Sequence, residues 1–158
     1  MALANILMIG LLLRVFYEDI KDRKVTFIVL VILLLLGGFI HSQHQNLWVF
    51  FLSSLLNLSI VLTIIMVLYV YANFKLKTSL SKVFGLGDAF FFIVMAVSFP
   101  TATFLVLFAT SLLFSFVIAV LFKKTLKKFI PLAGLQALYI GLTLASNQLF
   151  HIINLYTV

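Results

Sequence analysis

The sequence predicts an all-α polytopic membrane protein with six transmembrane helices, organised as one domain over residues 1–158. Three observations carry that expectation. The chain is 65% hydrophobic and only 9% charged, against roughly 25% charged in soluble domains, and its mean hydropathy is +1.29. Its apolar residues form long runs that are greasy on every side. Such runs suit helices, which close their backbone hydrogen bonds within the segment, and not strands of alternating polarity. The basic residues gather in short segments between the runs, as the positive-inside rule requires.

The first run extends from Ala2 to about Tyr17, with Arg14 near enough to its end to reach the interface. It lacks the basic flank and small-residue cleavage site of a signal peptide and reads as a retained span. The second runs from Val25 to Ile40 and closes on Gly37-Gly38, and HSQHQN after it reads as a polar turn. The third, Leu47 to about Ala72, is the longest clean run. The next block, Ala89–Phe122, is uncharged throughout. As one helix it would measure about 51 Å, too long for a hydrocarbon core of about 30 Å. Pro100 in SFPTAT divides it into helices of about Ser81–Phe99 and Thr101–Phe122, and a sixth covers about Phe129–Phe150.

Charge placement supports the division. KDRK follows the first run, Lys75, Lys77 and Lys82 follow the third, and KKTLKK precedes the last, whereas HSQHQN and SFPTAT carry no lysine or arginine. With six spans all basic segments share the cytoplasmic side and both termini lie outside. With five, KKTLKK would lie opposite Lys75 and Lys77. The net charge of +7 is thus assigned to membrane orientation and anionic lipid, not to nucleic acid.

The absence of cysteine removes disulfides, thiolate zinc sites and cysteine nucleophiles. His41 and His44 form a close pair with no acid beside them, so no metal or cofactor is expected. Only four acids are present, Glu18, Asp19, Asp22 and Asp88, all at cytoplasmic ends of apolar runs. Glu18 and Asp22 read as charges neutralising Lys21, Arg23 and Lys24. Asp22, three residues after Asp19, could share its face on a continued helix and is its main rival. Asp88 stands apart, in KVFGLGDAFFF, behind Gly85 and Gly87 and just before a greasy run. A helix cap would explain an acid there, but not the two glycines, which allow bending or the close approach of another chain.

FGLGDAFFF resembles the GxGD motif of intramembrane aspartyl proteases. FYEDIKDRKV resembles the first aspartate motif of the prepilin and preflagellin peptidases, a D-x-x-x-R-x-[IV] pattern. KKFIPLAGLQALYIG is similar to that family's late proline- and glycine-bearing region, with Pro131 and Gly141 matching. The resemblance spans nearly the whole chain and implies that Asp19 and Asp88 are the catalytic pair, with Gly85 and Gly87 forming a flexible turn beside Asp88. It implies cleavage of the basic leader from a type IV pilin-like precursor at the cytoplasmic face of a prokaryotic cell membrane. Three positions depart from the pattern: Phe90 where a lysine is usual, and Thr26 and Gly134 where prolines are usual. The cysteine-bearing cytoplasmic domain of many bacterial members, with its N-methyltransferase activity, is absent from the sequence given.

The chemistry is self-consistent. Two adjacent carboxylates share one proton, so that one activates water while the other polarises the scissile carbonyl, without metal or cofactor. Serine or threonine chemistry would need a base partner, and the histidines are expected on the opposite face or at the far terminus. The alternative from another class is a non-catalytic membrane protein: an inactive relative binding a pilin-like helix, an assembly factor or a small transporter. A transporter would place acids mid-span; here they lie at span ends. The sequence does not specify an oligomeric state.

Overall fold

A computed structural model describes residues 2–75, 77, 85–122, 131–150 and 155–156. Among these residues the protein is all-helical, with six helices: α1 Ala2–Asp22, α2 Phe27–His44, α3 Leu47–Phe74, α4 Leu86–Ser98, α5 Thr101–Leu121 and α6 Leu132–Phe150. α1 packs along α6 and α2, α4 lies against α2 and α3, and α5 packs on α6. Their shared core contains Leu12, Val15, Leu33, Phe91, Phe92, Met95, Phe104 and Ile140, among others. Large apolar side chains also cover the outside, notably along α3 and α5. In water that surface would be untenable for a protein of this size.

Three helices, α2, α3 and α5, are long and apolar enough to cross a membrane. The other three fall short of that measure for identifiable reasons. At 13 residues, α4 is only about 20 Å long. Five charged residues, Arg14, Glu18, Asp19, Lys21 and Asp22, interrupt the second half of α1, and α6 carries Gln136, Asn147 and Gln148.

The break at Pro100 is present. α4 ends at Ser98, Phe99 is extended, and Pro100 caps α5, its carbonyl accepting the Phe104 N–H at 2.7 Å. A chain break inside an apolar environment frees carbonyls that need donors. Asn57 of α3, fully buried, supplies them: its Nδ2 donates to the carbonyls of Ala96 and Phe99, each at 2.9 Å. His41 Nδ1 likewise donates to the Val97 carbonyl at 2.9 Å. α2 reaches α4 this closely because Gly37 has no side chain; a Cβ there would collide with Ser98.

Several boundaries differ from the sequence expectation. α2 begins at Phe27 and continues through His44, so most of HSQHQN is its last turn and only Gln45-Asn46 connects to α3. Backbone bonding and the burial of His41 outweigh the polarity of these residues. α1 continues past Tyr17 to Asp22. α4 starts at Leu86, because Gly85 is extended with φ −71° and ψ 142°; the expected start near Ser81 lies outside the described residues. α6 starts at Leu132, and the expected start at Phe129 also lies outside them.

The two ends of the bundle differ in character. At one, Gln45 Nε2 donates to the Tyr156 carbonyl and Thr103 Oγ1 to that of Leu155, at 3.2 and 2.8 Å. The Tyr156 ring stacks on His44 at 4.5 Å between centroids. The other end gathers the α1–α2 turn and the N-termini of α4 and α6, where the acids lie.

Candidate functional site

At that second end, a cleft of about 380 Å³ is lined by Asp19, Arg23, Lys24, Val25, Gly85, Leu86, Gly87, Asp88 and Ala133. Three local structures build it. α1 carries Asp19 in its last turn and stops as Arg23 turns left-handed, with φ 52°, its N–H bonded to the Asp19 carbonyl at 3.1 Å. Glu18 secures the turn that follows. Its carboxylate accepts Arg14 Nε at 2.9 Å and the Thr26 N–H at 2.8 Å. On sequence Glu18 reads as an interfacial charge neutralising Lys21, Arg23 and Lys24; the structure adds Arg14 and the Thr26 amide as its partners. Asp22 is exposed and does not share the inward face of Asp19, which is only 8% exposed.

Gly85 caps α4 and Asp88 lies in its first turn. Asp88 accepts a hydrogen bond from the Gly85 backbone, the arrangement of a capping box, in which the third helical residue reaches back to the cap. Gly85 leaves Asp88 room, since a Cβ there would stand 3.0 Å from Asp88 Oδ2 and the carboxylate would have to shift slightly. Gly87 is already helical, so the expected flexible turn formed by both glycines is replaced by a capped helix start. Intrahelical bonding claims Gly87, which faces Val25 across the cleft.

The third element is the N-terminus of α6. Pro131 precedes it, its carbonyl accepting the Leu135 N–H at 3.1 Å. The first amides of a helix have no partner within it and favour anions. Here two of them are used in succession: Ala133 N–H donates to Asp88 Oδ1 at 2.8 Å, and Gly134 N–H donates to Asp19 Oδ2 at 2.7 Å. One helix start thus holds both acids, from α1 and from α4.

Asp19 is buried and Asp88 half-buried, Arg23 carries its charge beside Asp19, and both carboxyls face the one cleft. Such a pair favours a state with one shared proton. Among the described residues no three His, Asp or Glu side chains gather to hold a metal ion.

Two of the departures noted in the sequence have a local explanation. Thr26 and Gly134, where the resembled pattern has prolines, each donate a backbone N–H to a carboxylate, which proline could not do. Phe90 does not line the cleft; its ring meets that of Phe27 edge-on at 4.7 Å and pins α4 to α2. Sequence reasoning missed Ala133 and Gly134, because they act through backbone amides that any residue but proline carries. Pro131 just ahead of a helical run was the available signal. No family model, no curated protein and no solved structure matches this chain.

Proposed function

We propose that the protein is a six-span membrane aspartic endopeptidase of the prepilin peptidase kind, with Asp19 and Asp88 as its catalytic pair. The observation that carries the reading is that the two acids, from separate helices, converge on one cleft and hold adjacent amides of a third helix. A structural cap would need only one of them. Asp88, held by the Ala133 amide, carries the shared proton and polarises the scissile carbonyl. Asp19, facing Arg23, takes a proton from the attacking water. The tetrahedral intermediate then collapses as the amide nitrogen is protonated and leaves.

In this reading α1, α4 and α6 also cross the membrane, with polar and short portions shielded by α2, α3 and α5. The cleft faces the cytoplasm of a prokaryotic cell and both termini face outward. The substrate is a pilin-like precursor whose basic leader is removed where its apolar helix meets the membrane surface. Co-expression with such a precursor is the direct test. A shift of the precursor to the mobility of its mature form, dependent on this protein, is expected; an unprocessed precursor in the presence of well-expressed protein would refute the reading.

A further inference from the structure

We propose that Gly134 is a positioning residue for the acid pair: its amide and its missing side chain together set where the Asp19 carboxylate stands relative to Asp88. The inference rests on the proposed peptidase reading but concerns a residue that the motifs did not assign.

Geometry carries the argument. Gly134 is buried and donates to Asp19 Oδ2 at 2.7 Å. A Cβ on it would stand 2.9 Å from the Asp19 Cβ, 3.0 Å from Oδ2 and 3.4 Å from Cγ. The first of these is closer than carbon atoms approach without one of them moving, and it involves the root of the Asp19 side chain, whose only retreat is displacement of α1. Ala133, the preceding residue, holds Asp88 by the same kind of bond. The spacing of the two carboxylates is therefore copied from the spacing of two successive amides on one rigid helix turn. No conformational need explains this glycine, since no described glycine has positive φ. Alanine would be the better helix former at this position. A purely helical role would make Gly134→Ala neutral or favourable.

Among the described residues, the basic groups lining the cleft beside the pair are Arg23 and Lys24, from the α1–α2 turn. Asp88 is the only ionisable residue of α4, and the one tyrosine of α6, Tyr139, packs on Phe114 instead. Among the described residues, a displacement of Asp19 is thus read out through its coupling to Asp88 and to Arg23.

The test compares wild type, Gly134→Ala, Ala133→Pro and Leu149→Ala in detergent, using purified precursor. Gly134→Ala is expected to lower kcat on the order of 100-fold, the scale of a misplacement near 1 Å, with KM changed little and the pH profile of kcat displaced. Ala133→Pro deletes the other amide at a helix position that tolerates proline, and should lower kcat and displace the profile as well. Leu149→Ala, at an exposed position near the far end of the same helix, should match wild type. If Gly134→Ala fails to accumulate, Ala133→Pro carries the comparison alone. Wild-type kcat and an unchanged profile in the folded variants would overturn the proposal. If wild type itself cuts no precursor, the peptidase reading fails separately, and the clamp is then judged by the pH dependence of thermal unfolding. That dependence should differ between wild type and the Gly134→Ala and Ala133→Pro variants; identical curves would overturn the clamp.

Discussion

Asp19 and Asp88 accept hydrogen bonds from neighbouring amides of α6, those of Gly134 and Ala133, at 2.7 and 2.8 Å. Two acids far apart in the chain are thereby held by successive residues of one helix start. The expected behaviour of the protein follows mainly from this arrangement.

Asp19→Asn and Asp88→Asn should each abolish precursor cleavage, since asparagine preserves shape but removes the shared proton. The double variant should be no worse than either single one, because residues acting as a unit are not additive. Asp22→Asn should retain most activity, as its side chain is exposed. Glu18→Gln should also retain it, because an amide oxygen can still accept the Thr26 N–H. Mobility-shift assays of the co-expressed precursor decide all five. Normal cleavage by either of the first two would return Asp88 to the role of a helix cap.

Orientation is open to reporter fusions. A reporter joined after Val158 should be active only when exported, and one within KKTLKK only when cytoplasmic. Both on the same side would refute the six-span arrangement and the common face of the two acids.

Asn57 should be a structural hot point away from the cleft. Asn57→Leu leaves the Ala96 and Phe99 carbonyls without their donor, in a setting where water is scarce. Loss of a buried partner costs roughly 1–3 kcal/mol, and interhelical hydrogen bonds in membranes average nearer 0.6 kcal/mol each. A destabilisation of about 1–3 kcal/mol is expected in thermal or denaturant unfolding. Asn57→Asp, which offers no donor when ionised, should be at least as damaging.

Sequence made the helices and the position of the acids legible, because long apolar runs, Pro100 and the grouping of charge each have a single physical reading. Which acid faces inward was less legible. Asp19 and Asp22 are three residues apart, and only the direction in which α1 packs on α6 separates them. The true start of α4 was hidden by its own composition: Val83 and Phe84 look as helical as Leu86, yet extended Gly85 intervenes. The helical state of HSQH was missed because polarity was read as a turn, while His41 in fact satisfies a carbonyl of α4. The holder of the acid pair was least legible of all, since its donors are backbone groups with no side-chain signature.

The pairing of α1 with α6 has a consequence for biogenesis. Asp19 and Asp88 are both synthesised before Ala133 and Gly134, whose amides hold them. A chain made only as far as α5 therefore carries both acids without the two amides that fix them. The acid pair takes its described geometry only once α6 has docked against α1.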